Sequence, residues 1–322
     1  MEFNYKLPGN PNFINGLAAS YNFNRIAPLI ENKNRFAVVS GFGVTGEMHL
    51  GSKLLIDQLA YYQKLGGKLF LPIADFDGIV VKGKSQQFIK RHTLNFLRHF
   101  KAGGIDLKKC EIYTQLGNRS VTSMALQFLK KISEEDYRGV YGDYSLKEFI
   151  ALLVTVADML YPQTIGFNNT LIVVSMDEKK HIDFCYKVIS KEGNRFKKPT
   201  ATFQKPLLGL SGEKMGKSLP EETIYLLDSP EKARKKFWER ALIDKIHPEN
   251  CRVFNLYQLF FLKSIQDIKK IKSNCNKREN VCNICKRECA NILKNYLENY
   301  QKEYNNTRVL INGYAKIFPT SK

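Results

Sequence analysis

The chain has 322 residues, 43% of them hydrophobic, which is long enough for two or three domains with a sizeable core. Its 50 Lys and Arg against 31 Asp and Glu give a net charge of +19, which favours a polyanionic partner, either nucleic acid or an acidic membrane surface. The alternative is an AT-biased genome that encodes Lys and Asn wherever the protein surface tolerates them. Because the sequence shows no basic-then-apolar leader and no apolar run long enough to span a bilayer, we expect a cytoplasmic protein with no membrane segment and with reduced cysteines.

The first predicted elements form a strand–turn–helix–strand unit. Residues 36–40 have the pattern of a buried strand, and a glycine-rich turn follows them. Residues 52–65 carry apolar side chains at helical spacing, and residues 68–75 form a second buried strand that ends on an acid. Such a unit predicts a parallel sheet with a ligand at the carboxyl ends of its strands.

The later elements change in character along the chain. Residues 83–104 predict a basic amphipathic helix closed by two glycines, and residues 110–115 and 169–177 predict further strands. From residue 229 onward the pattern is helical and no strand is expected. We therefore predict an α/β fold followed by a separate helical domain at residues 229–322.

The stretch GEMHLGS, residues 46–52, follows the first strand and opens the first helix of this unit. A helix N-terminus presents free backbone N–H groups and the positive end of the helix dipole, which suits a phosphate. His49 can donate a hydrogen bond to a phosphate oxygen, and Gly51 lets an adenine ring approach the backbone. Ser52 can cap the helix or donate one hydrogen bond. Taken alone, a histidine at this position is more often structural.

The stretch EKMGKS, residues 213–218, carries two lysines three residues apart on a glycine-flanked loop. Lys214 and Lys217 can both approach a triphosphate, because lysine is a flexible point charge. A loop that closes as pyrophosphate departs would stabilise the transition state more than the ground state. A solvated basic turn is the alternative reading of this motif.

In this order, the two motifs resemble the signatures of the class I aminoacyl-tRNA synthetases, and specifically their archaeal-type tryptophanyl branch. The stretch FAVVSGFGVTGEMHLGSKLLIDQLAYYQKLGGKLFLPIAD is similar to that branch throughout, and LYPQ, VVSMDEKKHI, KMGKS and IYLLDSPEKARKKF follow in the family's order. The resemblance covers about residues 30–303. It implies a Rossmann-type catalytic domain at 31–228 with a helical connective insertion at about 84–165, after an N-terminal extension, 1–30. Residues 229–322 would then bind the anticodon.

The resemblance also implies the reaction and its partners. The carboxylate of tryptophan would attack the α-phosphate of ATP, giving tryptophanyl-adenylate and pyrophosphate, and a hydroxyl at the 3′ end of tRNA would then take the aminoacyl group. Catalysis of this kind depends on positioning and charge stabilisation. Mg²⁺ is expected to accompany ATP, and the family implies a homodimer formed through the insertion.

The resemblance assigns residues to two ligands, and three of them, His49, Lys214 and Lys217, are expected to be catalytic. The positions that match the nucleotide-binding signatures are Gly41, Gly43, His49, Gly51, Ser52, Lys214, Met215, Gly216, Lys217 and Ser218. The positions that match the family's amino-acid-binding residues are Asp77, Gln163, Asp177 and Glu178. From the residues alone, Asp77 and Asp177 could instead cap helices, and Gln163 could be a loop contact.

The sequence departs from the family's pattern at four positions. Ser52 replaces a second histidine, Gly216 replaces the middle serine of the lysine motif, Asp77 stands for Glu, and Glu178 stands for Gln. A carboxylate in place of an amide removes a donor and adds a charge. Two alternatives therefore stay open: a diverged ligase for another amino acid, with tyrosine nearest, or for another acceptor, and a non-catalytic RNA-binding or redox-sensing protein.

Four cysteines in the helical region have the spacing of a metal site. Cys251, Cys275, Cys282 and Cys285 would offer four soft thiolates, which suit Zn²⁺ or an iron–sulfur cluster. Their spacing is similar to that of a 4Fe-4S site in some tryptophanyl members, with tetrahedral zinc as the second possibility. Reduced, buried cysteines without metal are the third.

The chain around these cysteines is basic and contains interspersed tyrosines. Six Lys and Arg lie between residues 263 and 278, and Lys269, Lys270 and Lys272 are grouped within them. Such a pattern favours contact with phosphates and unpaired bases of RNA. The alternative is an ordinary solvated helix face.

Overall fold

The computed structural model describes residues 2–9, 12–44, 46–143, 145–213, 215–216, 218–244, 247–262, 264–275 and 281–307. The strands are β1 Leu17–Tyr21, β2 Phe36–Val39, β3 Gly67–Ile73, β4 Glu111–Thr114, β5 Thr170–Ser175 and β6 Thr200–Gln204. The helices are α1 Ala27–Glu31, α2 Leu50–Lys64, α3 Gln86–Ala102, α4 Arg119–Phe128, α5 Glu134–Tyr141, α6 Leu146–Thr164, α7 Lys179–Glu192, α8 Pro230–Arg240, α9 Arg252–Leu256, α10 Ile265–Cys275 and α11 Val281–Asn306.

The six strands form one sheet in the order β1-β6-β5-β2-β3-β4. All neighbours run parallel except β1, which is antiparallel to β6. From β2 the chain proceeds to β3 and β4 on one side, whereas β5 and β6 lie on the other side. The strand order therefore reverses between β2 and β5, which is where a Rossmann-type sheet places its ligand. The predicted α/β fold is confirmed.

Alternating side chains of the strands build a core on each face of the sheet. Val38 and Val173 pack with α2 and α3 on one face, and Val39 and Val174 pack with α6 and α7 on the other. This period of two follows from the pleat of a strand. Buried on both faces, β2 and β5 have the continuous apolar sequences expected of a parallel sheet.

The predicted strands and helices of the βαβ unit are confirmed. The strand predicted at 110–115 is β4; it lies within the segment 84–165 expected as a helical insertion, and it extends the sheet by pairing with β3. Strand β1 lies within residues 1–30 and pairs with β6. The sheet thus recruits strands from both of these segments, and neither β1 nor β6 was predicted from the sequence.

The helical region after residue 229 packs directly against the α/β part of the chain. In its described residues it contains no strand. Helix α11 packs along α8 and also touches α3, where the Nδ1 atom of buried His99 lies 2.8 Å from the hydroxyl of Tyr300. Burial lowers the pKa of His99 to about 4. Among the described helices, none has the length and apolar character needed to cross a membrane.

Candidate functional site

A cleft of about 440 Å³ opens at the carboxyl ends of β2, β3 and β5. It lies at the reversal of strand order and is closed on one side by α5 and α6. Its lining includes polar, charged and aromatic side chains together with two glycines of the β2 turn. The members used below are Gly41, Gly43, Asp77, Lys82, Gln115, Tyr137, Tyr141, Asp158, Glu178 and His181.

His49 is the N-terminal cap of α2. Its extended backbone lets the Nδ1 atom accept a hydrogen bond from the N–H of Gly51 at 3.1 Å. An imidazole that accepts through Nδ1 carries its proton on Nε2 when neutral, so Nε2 is a donor. The backbone N–H of His49 in turn donates to the hydroxyl of Ser52 at 3.5 Å. The structure therefore uses Ser52 to complete the cap.

Gly51 is required by the histidine ring. A Cβ atom at this position would lie 2.9 Å from Cε1 and 3.0 Å from Nδ1 of His49. The His49 ring therefore lies on the side of Gly51 where a Cβ atom would stand, and the approach of an adenine ring to Gly51 stays a prediction. Gly43 differs, because a Cβ atom there would meet nothing within 4 Å. With Gly41 it leaves the floor of the cleft open.

The two signature motifs are brought together by backbone pairing. The residues that follow the second motif, 224–226, lie antiparallel to residues 48–50 of the first, with Tyr225 opposite His49. The N–H of Leu50 donates to the carbonyl of Ile224 at 3.1 Å, and the N–H of Leu226 donates to the carbonyl of Met48 at 2.9 Å. Lys214 and Lys217 lie outside the described residues.

The described part of the second motif is anchored at two points. Met215 is buried, with its N–H bonded to the carbonyl of Leu207 at 2.9 Å. The N–H of Gly216 donates to the hydroxyl of Thr223 at 3.0 Å, and that hydroxyl donates to the carbonyl of Gly216 at 2.8 Å. Ser218 is exposed. The motif is thus tied to the start of the segment that pairs with residues 48–50.

Of the four positions expected to bind the amino acid, Asp77 and Glu178 line the cleft. Asp77 forms an ion pair with Lys82. Asp177 lies close to His181, another cleft residue; burial lowers the pKa of His181, and the charge of Asp177 opposes that shift. A negatively charged rim of this kind suits an ammonium group.

Gln163 lies away from the cleft lining. Its Nε2 donates to the carbonyl of Lys197, and its Oε1 accepts from the N–H of Lys197, both at 2.9 Å. These bonds join the end of α6 to the chain before β6. This loop contact was the alternative reading of Gln163 at the sequence level, and its assignment to amino-acid binding stays a prediction.

Asp158 was missed in the sequence. It lies in α6 among cleft residues, with 3% of its surface exposed. Its Oδ2 accepts a hydrogen bond from Nε2 of Gln115 at 2.7 Å, while Oδ1 has no hydrogen-bond partner among the described residues. The hydroxyl of Tyr113 lies near the same carboxyl. Burial raises the pKa of Asp158 to about 7. A lone acid within the apolar run ALLVTVADML was the available signal.

Aromatic side chains form one wall of the cleft. Tyr137 and Tyr141 stack with ring centroids 4.8 Å apart, and Tyr141 stacks on His181 at 5.8 Å. The hydroxyl of Tyr141 is buried without a partner among the described residues, and burial raises its pKa. Flat rings beside a buried acceptor suit an aromatic ligand with a polar edge.

The four predicted cysteines converge. Cys251, Cys275, Cys282 and Cys285 line one small cavity. Burial, reinforced by the neighbouring thiols, raises the pKa of Cys285 to about 12. Within the described ranges, no group of three or more His, Cys, Asp or Glu side chains has the arrangement of a metal site.

Lys269, Lys270 and Lys272 lie on the exposed face of α10, whereas Ile268 and Ile271 are half-buried on its other face. The helix ends at Cys275, so the basic face and the cysteine-lined cavity are adjacent along the chain. The structure thus gives these lysines free access to a large polyanion.

The family described as tRNA synthetases class I (W and Y) matches residues 31–304. The tryptophan–tRNA ligase of Methanocaldococcus jannaschii is 27% identical over 301 residues, covering 87% of this chain and 81% of that protein. That of Methanopyrus kandleri is 29% identical over 293 residues, covering 84% and 78%. The crystal structure of tryptophanyl-tRNA synthetase from Aeropyrum pernix superposes with a TM-score of 0.85 at 26% identity, covering 92% of this chain and 86% of that one.

Proposed function

Since the chain belongs to the class I tRNA synthetases for tryptophan and tyrosine, we propose that it activates tryptophan with ATP and transfers it to tRNA(Trp). The observation that carries the proposal is the pairing of residues 224–226 with residues 48–50, which joins the two nucleotide motifs beside an aromatic cleft. The named archaeal relatives, at 27% and 29% identity, support tryptophan as the amino acid.

In this reaction, the tryptophan carboxylate attacks the α-phosphate of ATP in line and pyrophosphate leaves. Nε2 of His49 and the N-terminus of α2 supply positive potential where charge develops on the phosphates. Lys214 and Lys217 would bind the departing pyrophosphate. Mg²⁺ would neutralise phosphate charge when bound with ATP. A terminal hydroxyl of tRNA then attacks the carbonyl of the adenylate and releases AMP.

Asp158 accounts for recognition of the indole. The indole N–H can only donate, so it needs a buried acceptor. Asp158 lines the cleft and has one carboxyl oxygen without a hydrogen-bond partner among the described residues, so its carboxylate would supply that acceptor. The rings of Tyr137 and Tyr141 would flank the indole. Asp77 and Glu178 would hold the ammonium group of the substrate.

Tyrosine is the second candidate, because its phenol O–H could also donate to Asp158 in the same cleft. ATP–pyrophosphate exchange against each of the twenty amino acids separates the readings. Exchange with tryptophan alone is the expected result. Exchange with tyrosine or another amino acid would show that the pocket has a different amino-acid specificity. No exchange with any of the twenty would favour a non-catalytic RNA-binding protein. Charging of purified tRNA tests the acceptor.

We further propose that Cys251, Cys275, Cys282 and Cys285 hold a 4Fe-4S cluster. Four thiols that share one cavity are a donor set that fits such a cluster, and they fit a zinc ion equally by chemistry. The cavity of about 20 Å³ has room for one water molecule. The four cysteine side chains would therefore rotate away from one another to admit a 4Fe-4S cluster, or toward one another to coordinate zinc.

Anaerobic purification followed by metal analysis tests the cluster. About four iron atoms per chain, with visible absorption that is lost in the Cys282→Ser and Cys285→Ser double variant, is the expected result. One zinc per chain would replace the cluster by a tetrahedral site. A protein that takes up neither metal would leave the cysteines as buried apolar residues.

The remaining proposals concern assembly and location. We propose that residues 229–322 bind the anticodon, with Lys269, Lys270 and Lys272 contacting RNA phosphates, and that residues 1–30 extend a catalytic domain at 31–228. We also propose a cytoplasmic homodimer formed through residues 84–165. Light scattering of the purified chain would give twice the monomer mass, and a monomer would contradict the dimer.

A further inference from the structure

Helix α11 connects the helical region to the nucleotide motifs. It has 26 residues and is therefore about 39 Å long. Its first turns carry Cys282 and Cys285, which line the cysteine cavity. Its last turns carry Gln301, whose Nε2 donates to the carbonyl of Leu226 at 3.0 Å and to the carbonyl of Asp228 at 2.7 Å.

The turn that Gln301 holds belongs to the paired segment. The N–H of Asp228 donates to the carbonyl of Tyr225 at 3.2 Å, and the N–H of Tyr225 donates to Oδ2 of Asp228 at 3.0 Å. Leu226 is bonded to Gln301 through its carbonyl and to Met48 through its N–H. A single residue, Leu226, thus bonds both to α11 and to the start of the first motif.

The end of α11 is itself fixed. Tyr300 bonds to buried His99 of α3, and the guanidinium of Arg98 lies 4.1 Å from the ring centroid of Tyr304. Lys294 forms an ion pair with Glu231 of α8 at 3.1 Å. Helix α11 is therefore fixed by contacts with both α3 and α8. The amide of Gln301 has a defined position from which it bonds to the turn.

We infer that Gln301 is a positioning residue for the ATP site: it holds the 225–228 turn so that residues 224–226 stay in register with Met48–Leu50. The inference rests on the proposed function, because it assigns ATP to these motifs. The Gln301 amide donates to two backbone carbonyls that lie 73 and 75 residues away in the chain. It therefore joins α11 to the 225–228 turn, which local structure does not connect. Gln301 touches neither phosphate nor amino acid in this scheme.

The test uses Gln301→Met in the full chain, with Lys302→Met as the matched control on the same turn. Methionine keeps the length and the helix propensity of glutamine but has no N–H to donate. Lys302 is exposed. We expect Gln301→Met to lower kcat/KM for ATP about tenfold in pyrophosphate exchange, the effect of losing two neutral hydrogen bonds. The KM for tryptophan should stay near that of Lys302→Met, while the Tm should fall slightly below that of this control, because two backbone carbonyls lose their donor.

Two results would overturn the inference: a lower Tm with unchanged kinetics, or an equal loss for ATP and for tryptophan. Hydrogen–deuterium exchange of the free protein supplies a readout that needs no activity. Peptides covering 223–228 and 48–52 should exchange faster in Gln301→Met, while peptides from α6 do not change, and unchanged rates in both peptides would also overturn it. If the wild-type chain showed no pyrophosphate exchange, that result would instead contradict the proposed function.

Discussion

Gln115 at the end of the sheet donates a hydrogen bond to the buried carboxyl of Asp158 at 2.7 Å, and the second carboxyl oxygen has no hydrogen-bond partner among the described residues. A carboxylate has two acceptor oxygens, whereas an asparagine amide has one. Gln115 therefore occupies one oxygen of Asp158, and the other oxygen keeps an open acceptor position. This relationship makes Asp158 the residue whose substitution most directly tests amino-acid recognition.

We expect Asp158→Asn to lower kcat/KM for tryptophan roughly 10- to 100-fold, the loss associated with a hydrogen bond to a charged group. When the amide oxygen faces Gln115, the amide NH2 takes the position of the second oxygen, and it cannot accept a hydrogen bond from the indole. The KM for ATP should change little, and pyrophosphate exchange at varied tryptophan concentration measures both. Asp106→Asn is the control, because Asp106 is a partly exposed helix cap away from the cleft and Asn caps equally well. An unchanged KM for tryptophan would remove Asp158 from the recognition site.

The pH dependence of tryptophan binding should follow Asp158. Its pKa is raised to about 7, so the acceptor form becomes populated as pH rises through 7. The KM for tryptophan should fall between about pH 6 and 8 in the wild type, and this dependence should vanish in Asp158→Asn. Folding stability should respond in the opposite sense. The folded state binds the proton more tightly than the unfolded state does, so stability from this group is present below pH 4 and is lost as pH rises to 7.

Gly51→Ala tests the cap of α2. The new methyl would lie within about 3 Å of the His49 ring, so the ring must move and its hydrogen bond to the residue 51 N–H is lost. Because alanine favours a helix over glycine by about 1 kcal/mol, the Tm should not fall much. The kcat/KM for ATP should fall at least about tenfold, since Nε2 would no longer point where it does now. Pyrophosphate exchange and thermal unfolding measure the two effects separately.

Gly139→Ala provides the matched control for this experiment. Gly139 is exposed in α5, and a Cβ atom there would meet nothing within 4 Å. It should gain helix stability and keep full activity. Equal kinetics for the two alanine variants would contradict the role given to the His49 cap.

The βαβ unit was predictable because its signals are local. Strand β2 is a continuous apolar run, and helix α2 has apolar residues at helical spacing. Both patterns can be read within a short window, and a glycine turn separates the two elements. Strands β1 and β6 were not predicted. Strand β1 is stabilised by its pairing with β6, whose residues lie at least 180 positions further along the chain, and β6 lies between β1 and β5 in the sheet. Such pairing has no signature within a short window.

The amino-acid site was harder to predict for a reason of helix geometry. Asp158 and Gln163 are both polar residues of α6, but five positions rotate a helix by about 140° beyond a full turn. One side chain therefore faces the sheet and the cleft, and the other faces the surface near Lys197. A motif shows that polar groups are present, whereas the packing of the helix decides which of them meets a ligand.

Charge reversal at Lys269, Lys270 and Lys272 tests the RNA-binding proposal. The three side chains are exposed on α10, so their replacement by Glu should not disturb the core. We expect tRNA binding to weaken at least about tenfold and its salt dependence to become shallower, because each phosphate contact releases counterions. ATP–pyrophosphate exchange without tRNA should stay within about twofold, since this assay measures only adenylate formation and its reversal. Neither step involves the RNA-binding face. Reversal of the exposed Lys64, Lys197 and Lys205 changes the net charge equally and is the control, because these residues lie outside the helical region and outside the segment proposed to form the dimer. If both triple variants lose tRNA affinity to the same degree, the effect comes from overall charge, and α10 is not the RNA-binding face.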